Sequence, residues 1–131
     1  MRLFSKIFGP VCLGFFMLLG SGGSFAAEQN FDRASFDKLV ADGKPVVVNF
    51  YADWCPTCKA QQVSVTALAN DPRLKDLTIF KADYDKEKEL KKLLRVSSQS
   101  TFVVFKAGKE VERSTGQTKK EAIDALFSKA L

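Results

Sequence analysis

Histidine is absent from these 131 residues. That removes the commonest metal ligand and the side chain that most often moves protons near neutral pH. Cysteine is scarce, with only Cys12, Cys55 and Cys58. A closed zinc site takes four thiolate or imidazole ligands, so one chain cannot build it. Haem attachment through Cys-x-x-Cys-His is excluded too, because Lys59 follows Cys58. The main apolar run, Ile7 to Leu19, falls short of the about 20 residues that span a membrane. No repeat or low-complexity segment occurs, and no nucleotide or flavin motif stands out. The net charge of +5 is spread through lysines interleaved with acids, as in the run from Asp83 to Lys92. That pattern reads as a solvated helix face with pairs such as Glu87 with Lys91, not as a nucleic-acid platform.

What is present begins with a leader. Arg2 and Lys6 supply a positive start, Ile7 to Leu19 an apolar core, and Ser24-Phe25-Ala26 a small-x-small cleavage site. Residues 1–26 are therefore expected to be a signal peptide, and 27–131 one domain. An uncleaved membrane anchor is the alternative. Cys12 lacks the small residue that precedes a lipidation cysteine. Export implies an oxidising compartment, the periplasm, where disulfides persist. Cleavage would leave two cysteines.

The remaining chain alternates strand and helix signals. Glu28 to Phe31 reads as an edge strand or an arm. Phe36, Leu39 and Val40 have helical spacing, ended by Gly43 and Pro45. Val46 to Tyr51 is apolar on both faces except at Asn49, as a central buried strand requires. A helix is expected from near Cys55, with Pro56 in its first turn, to the break at Asn70-Asp71-Pro72. Thr78 to Asp83 reads as a strand and Lys86 to Leu94 as a charged helix. Thr101 to Lys106 and Glu110 to Arg113 form a hairpin around Ala107-Gly108-Lys109. Thr118 is placed to cap a last helix in a capping box with Glu121. That helix lines up Ala122, Ile123, Leu126, Phe127 and Ala130. The order β-α-β-α-β-α-β-β-α implies an α/β fold, a central mixed sheet flanked by helices.

Trp54-Cys55-Pro56-Thr57-Cys58-Lys59 carries the chemistry. It places two thiols at a strand-to-helix junction, where unpaired N–H groups and the helix dipole stabilise a thiolate. Cys58 is close enough to attack a mixed disulfide formed by Cys55. As a structural staple the pair would close only a tiny loop, which stabilises little. Thiol–disulfide exchange is the chemistry these residues fit.

From about Phe31 to Leu131 the chain resembles the thioredoxin family. The resemblance rests on Phe50-Tyr51-Ala52-Asp53-Trp54-Cys55-x-x-Cys58-Lys59, on the strand from Thr101 to Lys106 with its Gly turn, and on Gly116. It implies the thioredoxin fold, with helices on both faces of the sheet. It also implies a thiol:disulfide oxidoreductase of protein disulfides whose only redox group is the Cys55–Cys58 couple, without metal or other cofactor. Cys55 becomes the exposed attacking cysteine and Cys58 the buried resolving one. Trp54 shields and shapes the rim, Pro56 and Thr57 fill the loop between the thiols, and Ser100 and Thr101 face them as the substrate-binding segment. For Trp54 a half-buried core role is the bland alternative.

Two departures stand out. The family usually has a buried Asp, thought to relay a proton, where this chain has Asn49. An amide cannot exchange a proton near neutral pH. Asn49 then offers only a hydrogen bond or a water site, or is a plain buried amide satisfied by backbone. Removal of the Cys58 proton falls to water or to a more distant group such as Lys59 or Asp53. The family also has a cis-proline where this chain has Ser100. A non-proline cis bond costs about 2.5–4 kcal/mol, so the Gln99–Ser100 bond is either trans or held cis by packing. Ser100 either bonds a thiolate or substrate with its hydroxyl, or faces water.

Pro56-Thr57 offers no imidazole to stabilise reduced Cys55. The potential is expected nearer the thioredoxin end, on the order of −270 mV, than the oxidant end near −120 mV. With export, this describes a periplasmic reductant supplied by a membrane thiol electron donor. Cu(I) binding by the two thiolates and a non-catalytic interaction domain are the competing readings.

Overall fold

The computed structural model describes residues 25–131. The expected leader, with Arg2, Lys6 and Cys12, lies outside them apart from Phe25 and Ala26. Ala26 is buried in the core, and the first strand starts at the next residue.

Five strands form one mixed sheet. They are β1 (Ala27–Asn30), β2 (Val46–Tyr51), β3 (Thr78–Asp83), β4 (Thr101–Lys106) and β5 (Lys109–Thr115), in the spatial order β1-β3-β2-β4-β5. β1, β3 and β2 run parallel, while β4 is antiparallel to β2 and to β5. Among the described residues there are four α-helices, α1 (Arg33–Ala41), α2 (Pro56–Ala69) and α3 (Lys88–Leu94) between strands and α4 (Lys120–Ser128) after the last one. A short 3-10 turn spans Pro72–Leu74. Of the two readings of Glu28 to Phe31 the edge strand holds, shifted to Ala27–Asn30 with Phe31 just beyond its end.

Strand alternation assigns each helix to a side. Val47, Ile79, Phe102 and Val104 pack with Val65 and Leu68 of α2 and with Ile123, Leu126 and Phe127 of α4. Val46, Val48, Phe50, Phe80 and Val103 pack on the other face with Phe36 of α1 and Leu90 of α3. Phe102 meets Phe127 edge-on at 5.1 Å, and Phe36 meets Phe105 likewise at 5.4 Å, the geometry aromatic quadrupoles favour. β2 is enclosed by the sheet on both edges and by helices on both faces, so the segment leaving its C-terminal end starts from a rigid base.

Local chemistry adjusts three expectations. The hairpin turns on two residues, Ala107 and Gly108, both at positive φ. That is the turn whose twist matches paired strands, and it lets β5 run from Lys109 to Thr115. The charged helix starts at Lys88 rather than Lys86, because Asp83 Oδ1 accepts from the backbone N–H groups of Asp85 and Lys86 and holds them in a turn. Glu87 becomes the residue before the helix, and Lys91 lies over the Tyr84 ring at 3.9 Å instead of pairing with it. The capping box at Thr118 and Glu121 does not form. Lys119 takes the cap position without a side-chain bond, and the Gln117 side chain accepts the Lys119 N–H at 3.1 Å.

Candidate active site

Ala52 to Cys55 turn the chain from the end of β2 into α2, closed by the Cys55 N–H on Ala52 O at 3.1 Å. Cys55 has extended backbone angles and caps α2, with Pro56 in the first turn. Its Sγ accepts the Cys58 N–H at 3.1 Å. A sulfur thus fills the place usually taken by a Ser, Thr, Asp or Asn oxygen. Negative charge on that sulfur meets the helix's unpaired N–H groups and positive dipole end.

Ser100 stands opposite. Its Oγ lies 3.1 Å from Cys55 Sγ and 3.1 Å from Cys58 Sγ. The residue is 4% exposed, so the serine does not face water. Its N–H donates to Phe50 O at 2.9 Å, and its carbonyl accepts from the Gly116 N–H at 2.9 Å and from Gln61 Nε2 at 3.0 Å. Gln61 Nε2 also donates to Gln117 O at 2.9 Å, tying α2 to the segment before α4. The described residues contain no cis peptide bond, so Gln99–Ser100 is trans; Ser100 instead has φ of 61°. The left-handed region costs a residue with a Cβ roughly 1–2 kcal/mol. Backbone bonds on both sides hold it there.

The two sulfurs differ. Burial pushes the Cys55 thiol up, but hydrogen bonds from Cys58, Ser100 and the backbone of Cys58 and Thr57 outweigh it, and its pKa lies below the ordinary thiol value. Burial pushes the Cys58 thiol up, and its bond to Cys55 raises it further. Cys55 is therefore the sulfur that ionises first. It is not the exposed cysteine expected from the resemblance. It is 2% exposed, packed with Ala52 and Cys58 and flanked by Tyr51 and Tyr84.

The other predicted residues divide. Trp54 is 58% exposed, on the rim rather than in the core, and its Nε1 donates to Asp85 Oδ2 at 2.7 Å. Pro56 is exposed and Thr57 partly so. Thr101 does not touch the sulfurs; its Oγ1 donates to Ser98 O at 2.8 Å and meets Thr115 Oγ1 at 2.9 Å, fastening the loop. Asn49 is 1% exposed, and neither of its amide atoms has a hydrogen-bond partner among the described residues. It sits on the α2 side of the sheet, next to Phe102 in register, with no bond to Cys58. Lys59 is exposed on α2, beside Tyr51, Gln62, Val63 and Thr66.

Gln61 and Asp85 are the residues that sequence reasoning missed. Gln61 lies one helical turn after Cys58 on the same face, which was a readable signal. Asp85 was readable only through the sheet: parallel β2 and β3 end together, with Tyr51 opposite Asp83, so both following loops emerge at the same end. Among the described residues no group of three or more Cys, Asp or Glu side chains could hold a metal ion.

Residues 27–129 match the family model described as Thioredoxin. Over 101 residues the chain is 38% identical to a thioredoxin of Chlamydia trachomatis, covering 77% of this chain and 96% of that one. It is 40% identical to a thioredoxin of Chlamydia muridarum over the same shares. Among solved structures, Trxlp from Edwardsiella tarda EIB202 superposes with a TM-score of 0.75 at 39% identity, covering 77% of this chain and 98% of that chain.

Proposed function

The chain belongs to the thioredoxin family and is a thiol:disulfide oxidoreductase, and from that premise we propose that it is an exported reductant of protein disulfides. Its redox group is its own Cys55–Cys58 pair, and family members need no cofactor. The observation that carries the assignment of roles is Cys55 Sγ at the cap of α2, accepting the Cys58 N–H at 3.1 Å. The Cys55 thiolate attacks a substrate disulfide, one substrate sulfur leaves, and a mixed disulfide forms. Cys58 then attacks Cys55 Sγ, the reduced substrate departs, and Cys55–Cys58 is left oxidised. Cover over Cys55 means that a client must part the contacts around it before the sulfurs meet.

Export is supported by Arg2, Lys6, the apolar run Ile7 to Leu19 and the Ser24-Phe25-Ala26 site. A cut after Ala26 would free the chain at the first residue of β1. Outside the cytoplasm the oxidised pair has to be re-reduced by a thiol carried across the membrane, and a membrane thiol transporter fits that need. The lack of an imidazole between the cysteines supports a reducing potential.

The test is reduction of a disulfide-bonded protein by the purified residues 27–131, with a small dithiol as electron source, and equilibration with glutathione to fix the potential. Turnover with a potential near the thioredoxin end supports the reading; a potential near the oxidant end reverses the direction. N-terminal mass measurement on the exported protein checks the cut.

A further inference from the structure

We infer that the Ser100 hydroxyl is the proton relay of the exchange reaction, passing the Cys58 proton on as Cys58 attacks. This rests on the dithiol exchange proposed above.

The geometry is what distinguishes Ser100 from a merely adjacent side chain. One Oγ stands 3.1 Å from each sulfur, and a hydroxyl has one proton to give and lone pairs to receive another. In the reduced pair it donates to the Cys55 thiolate while accepting from the Cys58 thiol. The main chain that carries it is held by hydrogen bonds to Phe50, Gly116 and Gln61. The other relay candidates make no hydrogen bond to the sulfurs: the Asn49 amide has no partner among the described residues, and Lys59 and Asp53 are exposed. Burial holds the proton on Cys58, so its removal needs an acceptor that is already inside.

The step balances. In the mixed disulfide, Cys58 Sγ–H transfers its proton to Ser100 Oγ, and the hydroxyl releases its own proton toward the departing substrate sulfur. The Cys58–Cys55 bond forms, the bond from Cys55 to substrate breaks, and its electron pair leaves on the substrate sulfur, which takes up the proton. Cys58 is oxidised to the disulfide level that Cys55 already holds, and the departing substrate sulfur is reduced. In reverse, a donor thiol passes its proton to Ser100 Oγ as its sulfur attacks Cys55, and the hydroxyl releases its own proton to Cys58 as that sulfur leaves.

The experiment compares two leaving groups. Reduced protein is mixed with oxidised glutathione or with an aromatic disulfide bearing nitrobenzoate thiols. The reaction is quenched in acid over time, and the mixed disulfide is followed by mass. Glutathione leaves as a basic thiolate that needs a proton; the nitrobenzoate thiolate leaves without one. In Ser100→Ala, decay of the glutathione adduct should slow at least about tenfold, in the range of general acid–base effects, while the nitrobenzoate adduct slows far less. Ser100→Gly suits the positive φ and lacks the hydroxyl, so it should behave like Ser100→Ala. Equal slowing with both leaving groups, wild-type rates in Ser100→Gly, or no slowing at all would overturn the relay. If the wild-type protein reduces neither disulfide, the exchange reading itself fails, separately from the relay.

Discussion

The Trp54 indole is fixed by Asp85, 31 residues away, through an Nε1 to Oδ2 hydrogen bond of 2.7 Å. An indole 58% exposed on a loop would otherwise be free to swing. The bond joins the loop after β2 to the loop after β3, so the rim of the dithiol is a two-loop structure. Trp54 is also the only tryptophan, which makes its fluorescence a direct reporter of that rim. Asp85→Ala is expected to lower the Trp54 fluorescence anisotropy and raise KM for protein disulfides a few-fold. Stability should fall by no more than about 1 kcal/mol, as for a single exposed hydrogen bond. Unchanged anisotropy would show that the bond does not hold the ring.

The cysteines should respond unequally. Cys55→Ser is expected to abolish exchange, whereas Cys58→Ser should accumulate a mixed disulfide with clients, seen as a mass increase reversed by dithiothreitol. Trapping by Cys55→Ser instead would exchange the two roles.

Alkylation of the reduced protein should resolve the two thiols by pH. The Cys55 pKa is lowered and the Cys58 pKa raised. Modification of Cys55 should reach half its plateau below the ordinary value of about 8.5, and Cys58 should react only at higher pH. Stability follows with a definite sign. The depressed Cys55 value adds stability that is present above the unfolded thiol pKa and lost as pH falls through the folded Cys55 pKa. The raised Cys58 value adds stability that is present below the unfolded pKa and lost as pH rises through the folded Cys58 pKa. Reduced protein, referenced to oxidised protein in urea melts, should therefore be most stable near the ordinary thiol pKa and weaker on either side.

Asn49 buries an amide without a partner among the described residues. Such a group costs roughly 1–3 kcal/mol, so Asn49→Leu should hold or raise stability by about 1 kcal/mol in urea melts. Asn49→Asp places a carboxyl there whose charged form burial disfavours. Its stability should fall as pH rises from about 5 to 8, the opposite of a hydrogen-bonded surface acid. A loss of more than 1 kcal/mol in Asn49→Leu, at any pH, would mean that the amide is satisfied in solution.

The elements were legible where pattern dominates. Val46 to Tyr51 reads as a central strand because it is apolar on both faces, and both faces are covered. Pro56 and Cys55 mark the start of α2 because a missing N–H and a capping acceptor are local chemistry. The departures were local competitions that composition does not rank: the Asp83 side chain against the first turn of α3, and Gln117 against Thr118 before α4. Cover over Cys55 and the reach of Ser100 to both sulfurs depend on how β4 enters the sheet beside β2, which no run of residues near Cys55 encodes. The position of Ser100 opposite the thiols was readable by resemblance; its left-handed backbone was not.

That backbone decides whether a proline fits at position 100. Proline holds φ near −65° and has no N–H. The protein here holds φ of 61° and uses the Ser100 N–H on Phe50 O. Ser100→Pro therefore loses the bond to Phe50 and cannot hold the left-handed turn, so the loop would have to be rebuilt around the ring.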